Sequence, residues 1–505
     1  MKKTFRYVIG SLCTVFAMTA YACSDSNTTI NSGEVSSEVS GDVLMYLTTS
    51  NRAFDLTKKA TNFSTKDNMS PTCVTLAPTT RYQTIDGFGA AITGSTSYNL
   101  LLMPADKRRT FLEETFSPDK YGFSYVRISI GCSDFSLSDY TCCDTKGIEN
   151  FALTIEETKY VIPVLKEILE INPSLKIMGT PWTCPKWMKV NDLKNKEPYD
   201  SWTGGQLNPD YYQDYATYFV KWIQAFQNEG IKIYSITPQN EPLNRGNSAS
   251  LYMGWEEERD FVKTALGPAL KNAGLQVKIY AFDHNYNYDD KADQQQYPLK
   301  IYEDDEAAQY FAGAAYHNYG GHRDELLKVH EAAPEKELIF SEASIGEWNN
   351  GRDLTKSLLR DMEDLTLGTV NNWCVGSIVW NLVLDSDQGP HGGPGACETC
   401  YGAVDVDNKT YSTITRNSHY YVMAHMGSVV KPGAVRIGTT GYTQKGLTYA
   451  AFENTDGTYA FVAANNQTES LKLTIADGKH HFSYEIPANA IISAEFKLQM
   501  QRNSY

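Results

Sequence analysis

At 505 residues with 42% hydrophobic content, the chain can bury a large core, and its length suggests one large domain joined to a smaller one. A net charge of −15 and a pI near 5.1 argue against nucleic acid or an anionic membrane surface as the main partner. Aromatic residues make up 12%, with 33 Tyr and 8 Trp; their flat faces suit sugar rings, but a core uses them equally well, so the count decides nothing.

Residues 1–22 begin with Lys2, Lys3 and Arg6, continue as an apolar run from Tyr7 to Ala20, and end in small residues before Cys23. That is the pattern of an export signal, too short to be a spanning helix. The cysteine after Ala20-Tyr21-Ala22 loosely resembles a bacterial lipoprotein lipobox, with Cys23 as the lipidation site. The alternative is ordinary cleavage nearby, with Cys23 unmodified. Residues 23–42 are Ser, Asn, Gly, Glu and Thr with little to bury, and read as a tether. The expected location is the bacterial cell envelope, at the outer membrane surface or in the periplasm, with membrane contact only through the lipid. Eight cysteines follow. Cys397-x-x-Cys400 has no partner CxxC or histidine cluster, so it reads as a local disulfide or free thiols in preference to zinc.

Val43–Leu56 and Cys73–Leu76 read as strands. From Thr84 the pattern becomes strand, loop, helix, repeated. Ser124–Ile130 is β-rich, and Thr154–Ile171 is a striped helix opened by a Thr154/Glu157 capping box, with Pro163 predicting a kink. After strand Lys176–Thr180, Asn208 and Pro209 start a helix with Tyr212, Tyr215, Phe219, Trp222 and Phe226 at helical spacing, ended by Gly230. Strands follow over Ile231–Gln239, Val277–Phe282, Ala312–Asn318, Glu337–Glu342 and Val375–Leu384. The alternation implies an α/β fold, a closed (β/α)8 TIM barrel. Beyond Gly427 short strands separated by turns such as Asp456-Gly457 and Asp477-Gly478 form an all-β module.

Two of these strands end in a carboxylate. Pro238 and Pro242 stop the first and leave Asn240 and Glu241 at its open end, unless Glu241 is merely a solvated turn residue; the second ends at Glu342. Strand-end residues of a barrel converge on one face. A pair of carboxylates there is what glycosidic bond cleavage needs, one to protonate the leaving oxygen and one to meet the oxocarbenium-like centre, roughly 5 Å apart if it attacks directly.

Thr237-Pro238-Gln239-Asn240-Glu241-Pro242 and Phe340-Ser341-Glu342-Ala343-Ser344 resemble the acid/base and nucleophile motifs of glycoside hydrolase family 30, which holds glucosylceramidases and β-1,6-glucanases. The resemblance extends, in family order, through Gln83-x-x-Asp86-Gly87-Phe88-Gly89, Arg127, Ser133-Asp134-Phe135, Thr180-Pro181-Trp182, His317-Asn318-Tyr319, Trp380-Asn381-Leu382 and Pro432-Gly433-Ala434. It implies a catalytic barrel over 81–427 and an all-β sandwich side domain uniting 43–80 with 428–505. It implies Glu342 as nucleophile, Glu241 as acid/base, and retention at the anomeric carbon, with no metal and no cofactor.

By the same resemblance, Asn240 meets the sugar 2-hydroxyl, Asp134 and Trp182 grip the terminal glucose, and Tyr319 orients Glu342. Trp380 and Asn381 form the cleft wall, and Arg127 holds the nucleophile charged. His317 is either a substrate contact or a satisfied core histidine. Gln83 and Asp86 are structural, and Gly87 and Gly89 serve the backbone. The chain departs from the glucosylceramidase pattern at Asn318, where an aromatic residue is common. A polar loop over Ile345–Arg352 could shape a polysaccharide subsite, and Gly389–Gly395 should form a mobile rim. Together these point to a retaining β-glucoside hydrolase acting on β-1,6-glucan. Glucosylceramide is the alternative substrate and xylan a third. A glycan-binding surface lipoprotein is the rival from outside enzymes, but binding alone has no need of two such carboxylates.

Overall fold

A computed structural model describes residues 39–64, 70–247, 249–286, 292–392 and 395–497. The expected export signal, Cys23 and the tether up to residue 38 lie outside the described residues. Among the described residues no helix is long and apolar enough to cross a membrane.

Eight parallel strands close into a barrel in sequence order: β1 (Gly87–Ala91), β2 (Tyr125–Ser129), β3 (Lys176–Thr180), β4 (Ser235–Ile236), β5 (Lys278–Asn285), β6 (Phe311–His317), β7 (Glu337–Glu342) and β8 (Cys374–Asn381). This is the (β/α)8 architecture expected from the alternation. Inside it Tyr125, Met178, Tyr280, Ile339 and Ile378 fill the lumen, so the barrel is a packed core with its chemistry at the strand ends. The opposite end is tied by ions: Asp86 bonds Lys176 at 2.6 Å and Tyr234 at 2.9 Å, and Lys278 bonds Glu337 at 2.7 Å. Gln83 donates to the carbonyls of Val370 and Cys374, which gives it and Asp86 structural places.

Local chemistry explains where the elements differ from the sequence pattern. β1 carries no alternation; a Cβ at Gly89 would lie 2.1 Å from the Tyr125 carbonyl oxygen, so close strand approach, not hydropathy, dictates its composition. The strand expected over Ile231–Gln239 pairs regularly only at Ser235–Ile236. Tyr234 and Thr237 still donate to the carbonyls of Ile177 and Gly179, but Pro238 has no N–H to continue the ladder. At Pro163 the helix departs from regular α geometry. A π-helical turn over Glu157–Val161 precedes the α-helix Ile162–Ile171, and its wider hydrogen bonding accommodates the missing N–H. Glu157 accepts from the Thr154 N–H at 2.8 Å, as a capping box requires. Helix Tyr212–Asn228 buries Tyr215, Phe219, Trp222 and Phe226 against the barrel, and Gly179 leaves room for the Trp222 ring, which a Cβ would approach to 2.8 Å.

Nine strands form the second unit of structure, a sheet with its own core of residues such as Val43, Leu76, Phe461, Leu473, Phe482 and Ile492. Both ends of the chain contribute. Val43–Thr49 lies between Thr57–Thr61 and Ala490–Phe496, and Cys73–Thr84 lies between Val435–Gly441 and Leu471–Ala476.

Candidate active site

Glu241 and Glu342 meet at the C-terminal mouth of the barrel, each with 6% of its surface exposed, and one oxygen of each lies within 4.8 Å of the other. Glu342 arrives directly on the end of β7. Glu241 needs a turn: its φ of 44° lies in the left-handed region, and its N–H donates to the Asp283 carbonyl at 3.0 Å. Strain of this kind at a non-glycine residue is held by the surrounding structure and marks sites where a side chain must be aimed.

Arg127, fully buried on β2, is the hub. Its Nη1 lies 2.5 Å from Glu342 Oε2, and its Nη2 bonds Asn240 Oδ1 and Asp283 Oδ2, both at 2.7 Å. Asp283 is a functional residue that the sequence reading missed. It accepts from Arg127, from Thr237 and Ser341 hydroxyls at 2.8 and 2.6 Å, and faces His317 Nε2 at 3.0 Å. Burial works to neutralise it, but the Arg127 charge and these donors hold its carboxyl well below the usual carboxylate range. The strand was read as ending at Phe282. Instead Phe282 and Asp283 both take positive φ, and the register with β6 slips there, a bulge that turns Asp283 inward.

His317 bridges the acids. Its Nδ1 is 3.2 Å from Glu241 Oε1 and 4.0 Å from Glu342 Oε1. It has no exposed surface and its two ring nitrogens are engaged, the surroundings of a satisfied buried histidine. Burial would strip its charge, yet Glu342, Asp283 and Glu241 outweigh burial and hold its pKa up to about 9. Glu241, Glu342 and His317 present the atom types of a metal set, their ligand atoms lying within 4.8 Å of one another. Glu241 is also gripped on its outer oxygen: Asn244 and Asn247 amides donate to Oε2 at 2.8 and 3.0 Å. Although burial raises its pKa, His317, the nearby His284 and Asn244 bring it down to about 2.

A cavity of about 320 Å³ opens over the carboxylates, lined by Asp134, Glu241, Asn244, Tyr319, Glu342, Trp348 and Trp380 among others. The Tyr319 hydroxyl donates to Glu342 Oε1 at 2.9 Å. Trp380 forms a wall, with Trp182 stacked on it at 5.0 Å and the Arg127 guanidinium over both rings. Trp182, Asn240, Asn381 and His317 are packed around the carboxylates with 2%, 4%, 2% and 0% of their surface exposed. Asn381 is aimed by Thr93, whose hydroxyl donates to its Oδ1 at 2.6 Å. Burial, Glu342 and Glu241 push the Asp134 carboxyl well up, and its Oδ1 has no hydrogen-bond partner among the described residues. The expected mobile rim is anchored where it is described: Asn99 donates to the Gly389 carbonyl and Gly392 N–H to the Asp134 carbonyl. The expected CxxC is a Cys397–Cys400 disulfide on the cavity edge.

A barrel with a buried carboxylate pair at its C-terminal mouth, one member backed by arginine and tyrosine, defines a glycoside hydrolase. Comparison with known proteins agrees. Residues 85–430 match the glycosyl hydrolase family 30 TIM-barrel domain and residues 433–494 its beta sandwich domain. The chain belongs to glycosyl hydrolase family 30. It resembles the solved structure of the endo-β1,6-glucanase BT3312, with 67% identity and a TM-score of 0.90 over 91% of this chain and all of that one. It is 32% identical to the endo-1,6-β-D-glucanase neg1 of Aspergillus fumigatus over 78% of this chain and 80% of that protein. It is 27% identical to the lysosomal acid glucosylceramidase of Mus musculus over 80% and 79%.

Proposed function

We propose that the protein hydrolyses β-1,6-glucan with retention, through a covalent glycosyl-enzyme. The observation that carries this reading is the separation of Glu241 and Glu342, within 4.8 Å oxygen to oxygen. Retaining pairs stand about 5–5.5 Å apart, whereas inverting pairs need about 6.5–9.5 Å to admit a water between them. The choice of β-1,6-glucan rests on the similarity to two proteins that bear that activity in their names.

In this reading Glu342 attacks the anomeric carbon as the bond to the leaving oxygen breaks, and that oxygen takes a proton from Glu241. Water then attacks the same carbon, gives a proton back to Glu241, and releases Glu342. Arg127 and Tyr319 aim the nucleophile and offset its charge. In the unliganded site the proton shared by Glu241 and His317 rests on His317, 3.2 Å from the carboxylate. A sugar that displaces water from the cleft weakens the solvation of this ion pair and favours moving that proton onto Glu241. Asp134, with an unpaired buried oxygen, would accept a sugar hydroxyl, and Asn240, aimed by Arg127, would meet the 2-hydroxyl.

Product sizing and anomeric NMR on linear β-1,6-glucan test the reading. β-Configured first products are expected. Turnover of glucosylceramide without glucan cleavage would transfer the activity to the lipid, and α-configured first products would remove the glycosyl-enzyme. We also propose that the protein is exported and lipid-anchored at Cys23, on the pattern of residues 1–23. Palmitate labelling of wild type, lost in Cys23→Ser, is the check, and an unlabelled wild type sinks it.

A further inference from the structure

We infer that Trp348 is a preformed platform for a second glucosyl unit, beyond the one held at the carboxylate pair; this rests on the β-glucan reading above. Trp348 is 52% exposed, one of few large hydrophobic side chains left in solvent, and it lines the same cavity as Glu342. An exposed indole is unremarkable by itself, but one beside a catalytic carboxylate has a ligand to meet. Among the described residues no aromatic ring or cation stacks on it.

The ring is seated, not loose. It lies against Gly346, where a Cβ would sit 2.0 Å from Trp348 Cζ3. Backbone conformation does not call for glycine there, since φ is −172°; space for the indole on one side and for the Thr399 carbonyl oxygen, 2.4 Å from the same Cβ position, does. Trp348 rides on a helical turn, Glu347–Asn349, closed by the Gly346 N–H donating to Asn349 Oδ1 at 3.0 Å. Behind that turn Ile345 and Gly346 pair with Tyr401 and Cys400, the Glu347 N–H donates to the Thr399 carbonyl, and the Cys397–Cys400 disulfide closes the facing loop. Arg360 also holds the Asn349 carbonyl at 3.1 Å. The platform is therefore ordered before any ligand arrives, which spares the ordering entropy that a mobile loop would lose.

The chemistry of the ligand fits. A β-linked glucose has its hydroxyls equatorial and its C–H bonds on the two ring faces, so it stacks flat on an indole. A 1,6-linkage adds a rotatable bond between rings, and a second fixed contact restrains the chain where one subsite would leave it free to swing.

The test compares Trp348→Ala and Trp348→Phe with wild type on linear β-1,6-gluco-oligosaccharides of increasing length. The Ala variant should lose roughly 10- to 100-fold in kcat/KM, carried by KM, with most of it restored by Phe. Trp348→Ala within twofold of wild type at every length overturns the platform, as does an equal loss in the Phe variant. Wild-type turnover of β-1,6-glucan reports separately on the proposed function. Should wild type cut a different β-glucoside, the same Ala and Phe comparison on that substrate decides the platform.

Discussion

His317 Nδ1 stands 3.2 Å from Glu241 Oε1 while its other ring nitrogen faces Asp283 Oδ1 at 3.0 Å, so one fully buried imidazole joins the candidate acid/base to the charged interior of the barrel. Folding favours its protonated form, because its pKa is held up to about 9 against an unfolded value of about 6.5. The stability it contributes is fully present below that unfolded value and is lost as pH rises through about 9. Wild type should therefore lose thermal stability between these limits by more than His317→Gln does. Melting curves of the two proteins across pH 6 to 10 are the check, and parallel slopes would refute the assignment.

Asn244 and Asn247 donate to the carboxylate of Glu241 and so favour its charged form. Replacing either by Ala should raise the pKa of the Glu241–His317 pair and move the basic limb of kcat/KM upward by about half a pH unit. A pH–rate profile on a soluble β-glucoside measures it. A limb that stays in place, or moves down, contradicts the geometry.

Glu342→Gln should lower kcat by roughly four orders of magnitude or more while ligand affinity persists, because the nucleophile acts only in the transition state. Glu241→Ala should be less severe with a good leaving group, and added azide should restore turnover by intercepting the glycosyl-enzyme as the β-glycosyl azide. Mass spectrometry and NMR of the products decide it; α-azide would mean that the sugar is never attached to Glu342.

Arg127→Met leaves Asp283, which has no exposed side-chain surface, and Glu342, with 8%, without their shared cation. Breaking a buried pair from one side costs about 3–5 kcal/mol, and the loss here should fall in or above that range. Urea denaturation gives the value. A loss below about 1 kcal/mol would show that the carboxylates relax or take up protons at little cost.

How much of this was legible beforehand follows from what each residue's signal depends on. Glu241 and Glu342 stood out because acids at strand ends carry both a periodic pattern and a chemical reason. Arg127 was readable because a buried guanidinium needs a carboxylate. Asp283 was not, since a bulge breaks the alternation that would have carried it inward. Asn244, Asn247 and Trp348 come from loops, where no period says which side chain turns toward a cavity. The stacking of Trp182 on Trp380 depends on two distant segments meeting, which no local pattern encodes. The length of β4 was overstated because apolar residues at Ile231 and Ile233 serve packing under the barrel without joining its ladder.

The nine-stranded sheet sets a condition on how the chain is made. Val43 pairs with Phe496, and the entire barrel is translated between them. Until Ala490–Phe496 emerges, Val43–Thr49 has an open flank with apolar side chains behind it, a segment that a neighbouring nascent chain could capture. Each molecule must therefore carry an unfinished edge until its last strand is in place.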